Sequence, residues 1–484
     1  MAYKHGVYVS EVPTSIIPPV RTTAGLPFVI GTAPINLADE ANVNKPVLCY
    51  TYQEAVEAFG YSDDWENYSL CEFIYSHFAL FNVSPVVLVN VLDPNVHKGS
   101  VVDESHTFSA DEQAIKLVNK GILLSSVVVK STATEPATYV LNEDYTLGFD
   151  EDGYVVVTRL SGGSIGEASE VKISYTHLGP SLVTSDDIIG GVDSTTGNYE
   201  GLELVDKVFP KFGLVPGMIL APGWSHDPEV AAIMVAKASN INAHFKCIAL
   251  VDVPTDMVKK YSGVSVWKNQ NNFIYERQIV CWPKIKLGEK EFHLSTQLAG
   301  VMCKVDSQND DVPYVSPSNK SLQANGAVAG TNEVALGPEQ AAYLNGQGVV
   351  TALNFVGGWK AWGNRTGAYP SITDIKDTFI PIRRMFDWIG NTLVLTFWQK
   401  VDYPITRRLV DTIVDSANIW LNGLAARQYI LGGRVEFNRD ENPTTDLIDG
   451  IIRFHVYVTP PAPAREIDFV VEYDPQYLET LFAA

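Results

Sequence analysis

The last strand-like segment of the chain alternates between apolar and polar residues with a period of two. Within residues 466–474 the apolar positions Ile467, Phe469, Val471 and Tyr473 fall on one face, and acidic residues occupy most of the other. This pattern predicts a half-buried β-strand. A single strand is unstable in water because its backbone groups lack partners, so this one must join another strand.

A proline-rich connector precedes this strand. The residues PPAPAR (460–465) would extend roughly 19 Å at about 3.1 Å per residue. A strand that folds back onto its own chain would want a short turn instead, so the connector favours pairing with a neighbouring molecule. Near the N-terminus, GVYVSEV (6–12) is a second short β-favouring run, and the proline-bounded PTSIIPP (13–19) follows it.

Strands and helices alternate through much of the body of the chain. The strand LPFVIGTAP, the helices TYQEAVEAFG and LCEFIYSHFALF, and the continuous apolar strand SPVVLVNVL come first. After residue 195 the alternation resumes with the strand GLVPGMILAPG, a helix with Asp227 as N-cap and Pro228 at its first position, and the strand FKCIALVDVP. These units predict one parallel α/β sheet.

Residues 100–195 have a different pattern. They contain short alternating strands such as SSVVVKS, GYVVVTRL and SEVKISYTHLG, and DEDG (150–153) is a strong hairpin-turn signal between two strands. Because the α/β pattern continues on both sides, we expect a β-rich domain that is inserted into the α/β domain.

The final third of the chain contains two strong helices and two further strand candidates. The second helix, within ITRRLVDTIVDSANIWLNGL, keeps apolar residues at helical spacing. The strand candidates are GGRVEFN (432–438) and IIRFHVYVTP (451–460), and they offer an edge for the terminal strands to join. Their apolar alternating positions are Val435, Phe437, Ile452, Phe454, Val456 and Val458.

The predicted fold class is α/β and α+β multidomain, with nested domains. We expect an N-terminal arm and linker at 1–20, a parallel-type α/β domain at 21–99 plus 196–355, and a β-rich outer insertion at 100–195. A C-terminal α+β core follows at 356–459, and a C-terminal linker and arm at 460–484. This organisation agrees with a length of 484 residues, which exceeds what one hydrophobic core usually supports.

Composition excludes several classes of function. A net charge of −21 argues against a nucleic-acid surface, which needs clustered Lys and Arg. No apolar run reaches about 18 residues, so no membrane insertion is expected. The five cysteines form no C-x-x-C pair and are expected to be reduced thiols. The first residues lack the apolar core of a secretory signal, so synthesis in a cytoplasm is expected.

Candidate catalytic and metal motifs are weak. Ser225, His226 and Asp227 have the residue types of a catalytic triad, but three consecutive residues cannot align nucleophile, base and orienting acid. The Gly-rich GGWKAWGNRTG lacks the spacing of a phosphate-binding loop. The acids of FNRDENPTTDLIDG lack the spacing of an EF-hand. We therefore expect no catalytic residue, no cofactor and no metal.

Several stretches together resemble the sheath subunits of contractile phage tails and related contractile particles, which include the R-type tailocins. GVYVSEVP followed by TTAGLPFVIGTAP is similar to the family's opening, and LAPGWSHDPEVAAIMVAKA is similar to its mid-chain strand and helix. The most specific matches are IPIRRMFDWIGNTL and NPTTDLIDGIIRFHVYVTPPAPAREIDFVVEY. Their order along the chain covers nearly all of it except residues 100–195, where the family is variable.

This resemblance implies that each chain end adds a strand to a sheet on another copy. The N-terminal arm strand would contain Val7, Tyr8, Val9 and Val12, and the C-terminal arm strand would contain the four apolar residues of 466–474 named above. The two strand candidates of the final third would form the acceptor hairpin. The family mechanism would be helical polymerisation, as stacked rings, around a tail tube, followed by contraction that drives the tube through a bacterial envelope.

The resemblance also implies partners and a location. The expected partners are the chain itself, the tail tube protein, and baseplate and tail terminator proteins, in a virion tail or extracellular particle assembled in the bacterial host cytoplasm. Candidate tube-facing residues are Arg383, Arg384, Arg407 and Arg408, and the alternative for each is an ion pair within the chain or between sheath subunits. Two other functions stay open: an intracellular α/β hydrolase with an appended β domain, and another tail or baseplate component.

Overall fold

The computed structural model of the chain describes residues 20–21, 25–108, 113–133, 135–166 and 169–481. The helices are α1 (Tyr52–Phe59), α2 (Ser69–Ile74), α3 (Ser185–Ile189), α4 (Val208–Phe212), α5 (Pro228–Ser239), α6 (Tyr261–Gln270), α7 (Leu294–Ser307), α8 (Pro338–Gly346), α9 (Ile375–Thr378), α10 (Ile380–Phe397), α11 (Arg407–Ala426) and α12 (Thr444–Ile448).

The strands are β1 (Val20–Arg21), β2 (Pro27–Gly31), β3 (Val47–Cys49), β4 (Val83–Ser84), β5 (Val86–Asn90), β6 (Lys98–Thr107), β7 (Ala114–Lys120), β8 (Val128–Ser131), β9 (Tyr145–Phe149), β10 (Tyr154–Arg159), β11 (Glu170–Leu178), β12 (Gly191–Val192), β13 (Tyr199–Glu200), β14 (Met218–Leu220), β15 (Ile248–Asp252), β16 (Gln278–Cys281), β17 (Lys284–Leu287), β18 (Lys290–Phe292), β19 (Lys320–Ser321), β20 (Gly326–Ala329), β21 (Asn332–Glu333), β22 (Val349–Asn354), β23 (Trp359–Trp362), β24 (Gly432–Glu436) and β25 (His455–Thr459).

The largest sheet has the strand order β19-β23-β22-β16-β15-β14-β2-β5-β3. Its central strands, from β22 to β5, are parallel, and antiparallel strands lie at both edges. The central strands are buried on both faces, which is why they read as continuous apolar runs in the sequence. The helix predicted after β14 is α5, with Asp227 as its N-cap and Pro228 at its first position, and both assignments are confirmed.

The β-rich insertion consists of two three-stranded antiparallel sheets, β6-β11-β8 and β7-β10-β9. It has a hydrophobic core of its own, separate from that of the α/β part. The hairpin turn predicted at 150–153 joins β9 to β10, and Asp150 Oδ1 accepts hydrogen bonds from the backbone N–H groups of Asp152 and Tyr154 at 3.0 and 2.8 Å.

Residues of the α/β part lie on the far side of two predicted domain boundaries. Val183 and Ile188, which precede the predicted boundary at 195, are buried in the core of the α/β part. The sheet of the α/β part also continues beyond residue 355, because β23 forms a hairpin with β22.

The C-terminal region combines long helices with a two-stranded sheet. Helices α10 and α11 pack with β24 and β25 around a third hydrophobic core, which includes Met385, Ile389, Leu421, Leu424 and Val435. The fold as a whole is therefore a mixed α/β multidomain structure.

Candidate assembly interface at the C-terminal sheet

The two segments predicted to form an acceptor hairpin pair with each other. Strands β24 and β25 are antiparallel, with Val435 opposite Val456 and Gly433 opposite Val458. Val435 is buried, whereas Phe454, Val456 and Val458 are partly buried against the third core. Phe437 lies just beyond β24, where its ring contacts that of Phe454 at 5.6 Å between centroids, and Ile452 precedes β25.

The edge of β24 that faces away from β25 is occupied by a side chain of α11. Asn418 Oδ1 accepts a hydrogen bond from Val435 N at 2.8 Å, and Asn418 Nδ2 donates one to Val435 O at 3.1 Å. The backbone groups of Val435 therefore point away from β25. Because residues of an antiparallel ladder alternate in direction, the opposite residue Val456, and Val458 two positions on, direct their backbone groups to the outer edge of β25.

The outer edge of β25 has no neighbouring strand in the part of the chain that the structure describes, because its sheet contains two strands. An open edge of this kind is a template for another strand. The geometry thus distinguishes the two edges of the sheet: a side chain fills the edge of β24, while β25 can accept a strand.

The predicted C-terminal arm strand pairs with no strand of its own chain among the described residues. Its four apolar side chains, Ile467, Phe469, Val471 and Tyr473, are 71%, 83%, 91% and 74% exposed. The segment from Pro460 to Asp474 is irregular, and a short 3-10 helix, Pro475–Leu481, follows it. An apolar face with this exposure is the expected state of a strand that lacks its partner.

The predicted N-terminal arm strand, with Val7, Tyr8, Val9 and Val12, lies outside the described residues.

Two of the four candidate tube-facing arginines are buried. Arg383 Nη1 donates to Asp377 Oδ1 at 3.0 Å and its Nη2 donates to Asp387 Oδ1 at 2.9 Å. Arg384 Nη1 donates to Asp306 Oδ1 at 3.1 Å, and Asp306 is fully buried. Arg383 and Arg384 thus form ion pairs within the chain, which is the alternative that the sequence left open for each of them. Sequence spacing alone could not find Asp306, which lies 78 positions away.

Arg407 and Arg408 are exposed at the start of α11. Arg407 faces Asp411 at 3.6 Å, one helical turn on, with 93% of its side chain accessible. The last turn of α10 and the connection to α11 also expose a set of large apolar side chains that sequence reasoning missed. They are Leu395, Trp398, Val401, Tyr403 and Ile405.

Ser225, His226 and Asp227 do not form a catalytic relay. Asp227 Oδ1 accepts from Glu229 N at 2.9 Å and its Oδ2 accepts from Ser185 Oγ at 2.5 Å, so this carboxylate caps α5. Ser225 Oγ instead accepts from Asp252 N at 3.1 Å. The arrangement agrees with the structural interpretation made from the sequence.

A cleft of 850 Å³ lies near the carboxyl ends of β14 and β15 and contains a buried ion pair. His293 Nδ1 lies 2.7 Å from Glu72 Oε2, and His293 N donates to Glu72 Oε1 at 2.7 Å. Burial opposes ionisation, but His293 and the hydrogen bonds hold the pKa of Glu72 below its usual value. Asp252 Oδ1 accepts from Ser295 N at 3.1 Å. Both carboxylates thus satisfy backbone N–H groups at the start of α7, which is a structural role.

Two acids of the cluster near residue 440 contact His455 and Arg453. Glu441 Oε1 lies 2.7 Å from His455 Nδ1, and Asp446 pairs with Arg453. Within the described ranges, no group of three or more His, Cys, Asp or Glu side chains is placed to hold a metal ion. None of the described helices combines the length and the apolar character that a membrane span requires.

Comparisons with known proteins give consistent results along the chain. Residues 78–184 match a family described as "Protein of unknown function UCP028589". The chain is 28% identical over 492 aligned positions to the tail sheath protein of Burkholderia phage BcepMu, which covers 99% of this chain and 98% of that protein. It is 24% identical to the tail sheath protein of Escherichia phage P2 over 67% of this chain and 78% of that protein.

Solved structures share the fold over nearly the whole chain. A chain in the structure of the anti-feeding prophage baseplate superposes with a TM-score of 0.59 and 14% sequence identity. The alignment covers 98% of the present chain and 100% of the baseplate chain. The sheath complex of an extracellular contractile injection system, PVC, in its contracted state has a TM-score of 0.57 and 14% identity, with 99% of each chain covered.

Proposed function

We infer that this chain is a member of the contractile tail sheath proteins, a structural subunit that polymerises helically around a tail tube. The observation that carries the inference is collinear similarity to a phage tail sheath protein over 99% of the chain, with the matching fold. The protein is a component of a virion tail or of an extracellular contractile particle. Assembly in the bacterial host cytoplasm, and contacts with tube, baseplate and terminator proteins, belong to this proposal.

Strand donation is the proposed means of assembly. The C-terminal arm of one subunit adds to the outer edge of β25 in another, where Val456 and Val458 direct their backbone groups outward. The apolar face of the arm then lies on the same side as the partly buried side chains of β25 and extends the third core. The N-terminal arm would join the same sheet from a further copy.

One donated strand binds weakly. About five hydrogen bonds at roughly 1 kcal/mol net each are offset by an association cost of about the same size or larger. Repetition in a helical lattice makes the contacts effective, because each copy both donates and accepts. Head-to-tail contacts that do not close on themselves generate a helix.

In the proposed contraction, the linkers keep neighbouring subunits connected while their bodies move. The bodies exchange their side contacts as the sheath shortens and widens, while the arms keep every copy connected through residues 460–465. Flexible connections between rigid units suit this change.

The face of the arm that is buried on assembly can be tested with two single substitutions. Phe469→Asp should abolish sheath tubes, because it places a carboxylate against the third core of the acceptor. Val470→Asp, on the opposite face, should leave tubes intact, although Val470 is equally exposed in the isolated chain at 89%. Negative-stain electron microscopy counts the tubes. Equal loss of tubes in both variants would contradict the proposed face, and discrete particles of enzyme size from the wild-type chain would contradict the sheath assignment.

Arg407 and Arg408 remain the proposed tube-facing pair. The double charge reversal Arg407→Glu/Arg408→Glu should lower tube-dependent assembly, by roughly 0.2–1 kcal/mol per exposed contact summed over many copies. The matched control is Arg427→Glu, at the other end of α11, where Arg427 faces Asp310 at 3.7 Å. Co-sedimentation with purified tube measures the effect, and unchanged sedimentation of the double variant would discard the tube-facing role.

A further inference from the structure

A cleft of 740 Å³ opens where the C-terminal linker leaves the body. Its walls are the segment 314–320, helix α8, the turn 362–369 and the linker itself. Because the linker follows β25 directly, the cleft lies at the end of the strand whose outer edge is open.

The cleft is basic in a strongly acidic chain. Lys320, Arg365 and Arg465 line it, and α8 begins there with Pro338. Among the described residues, no Asp or Glu lines the cleft, although the chain contains 56 acidic residues and has a net charge of −21. The first turn of a helix adds partial positive charge.

Arg365 is held in place without a carboxylate. Its Nη1 donates to Thr378 Oγ1 at 2.8 Å, and its guanidinium lies 3.6 Å from the ring centroid of Phe379 and 4.4 Å from that of Tyr369. None of the ion pairs in the described part of the chain includes Arg365 or Lys320. A hydrogen bond and two aromatic rings therefore orient the guanidinium of Arg365, and its positive charge can pair with an anion from another molecule.

The charges in the cleft repel one another. Burial lowers the pKa of Arg365, Tyr369 opposes this shift, and the charge of Arg465 lowers the pKa further. Arg465 itself pairs with Glu466 at 3.1 Å in an exposed position. An anion that enters the cleft would relieve this repulsion.

We propose that the basic cleft, defined by Lys320, Arg365 and Arg465, binds carboxylates on the C-terminal arm of a second copy of this chain. The polar face of that arm carries Glu466, Asp468, Glu472 and Asp474. All four are exposed in the isolated chain. Pro461, two residues after the end of β25, lines the cleft, so a strand that adds along β25 has one of its ends beside the cleft. This inference rests on the strand donation proposed above and adds the charge contact that fixes the arm once it has paired.

A double-mutant cycle tests the contact. The acceptor is the full chain carrying Phe469→Asp, whose own arm cannot be donated, and the probe is a fluorescent peptide of residues 466–481. Arg365→Gln should weaken peptide binding about tenfold, as expected for one charge-assisted hydrogen bond. A peptide with E466Q, D468N, E472Q and D474N should bind about as weakly. Combining the two changes should cause little further loss, and the dependence of affinity on salt should fall.

Controls separate this contact from other effects. Lys116→Gln removes a cation that pairs with Asp150 at 2.5 Å in the β-rich insertion, away from both the cleft and the C-terminal sheet, and it should not alter binding. Lys320→Gln repeats the test if Arg365→Gln lowers the melting temperature. Independent, additive losses, or equal binding by all variants, would overturn the cleft contact alone. No binding of the wild-type peptide at about 1 mM would overturn the cleft contact, because the charges would then add nothing measurable to the weak strand pairing. Strand donation itself is tested separately, by the Phe469→Asp and Val470→Asp variants in the tube assay. Inorganic phosphate that binds the cleft without displacing the peptide would assign the cleft to a free anion and overturn the proposal.

Discussion

Deletion of residues 466–484 is expected to abolish sheath tubes while leaving a folded monomer. The described part of this segment forms no ladder with its own chain, and its apolar side chains are exposed. Removing it therefore takes away no core contact of the body. In the proposed assembly it would take away the strand that each copy supplies to another, so the lattice would lose its connections. The loss of assembly should be complete, because every copy lacks the same strand.

Electron microscopy, size-exclusion chromatography and circular dichroism measure the outcome together. The truncated chain should elute as a monomer, keep the secondary-structure spectrum of the full chain, and melt within a few degrees of the Phe469→Asp variant. Tubes of normal diameter and length from the truncated chain would refute strand donation by the C-terminal arm. Addition of the free arm peptide should not restore tubes, because an unlinked strand fills the edge without connecting two bodies.

Breaking the buried ion pair between Arg384 and Asp306 is expected to destabilise the monomer strongly. Arg384→Met leaves the carboxylate of Asp306 fully buried and without its guanidinium, a change that costs about 3–5 kcal/mol in buried pairs. Because Asp306 is on α7 and Arg384 is on α10, the pair joins the α/β part to the C-terminal region. Urea unfolding followed by circular dichroism measures the change in the free energy of unfolding.

The second partner provides the control for this prediction. Arg384→Met combined with Asp306→Leu should recover much of the lost stability, since no uncompensated charge remains. Arg407→Met, which removes an exposed charge, should change the free energy of unfolding by less than about 1 kcal/mol. A loss of similar size in Arg384→Met and Arg407→Met would show that water reaches Asp306 and that the pair is not buried.

Local patterns predicted the elements well where one signal dominated. Asp227 followed by Pro228 marks a helix start that the structure reproduces, because a capping carboxylate and a preset backbone angle act within one turn. The pairing of the two segments around Val435 and Val456 also follows from their alternation and from their position between a helix and the linker. Both results depend on neighbours close in the chain.

The same reasoning could not predict contacts between residues that lie far apart in the sequence. Glu72 and His293 lie 221 positions apart, and Asp306 and Arg384 lie 78 apart, so no spacing rule connects them. An arginine at a helix start looks the same in sequence whether it faces solvent or a buried carboxylate, which is why Arg384 and Arg407 were grouped together. The basic cleft was missed for the same reason, since Lys320, Arg365 and Arg465 meet only through the fold.

The two hydrogen bonds between Asn418 and Val435 leave the C-terminal sheet with one open edge, that of β25. Because Asn418 occupies the edge of β24, strands could be added only beside β25. A second donated strand would therefore have to pair with the first donated strand. The order across a completed sheet would then be β24, β25, the C-terminal segment of one neighbour and the N-terminal segment of another. In this scheme a subunit would accept the two segments in a fixed sequence, so the lattice would add its connections in one order.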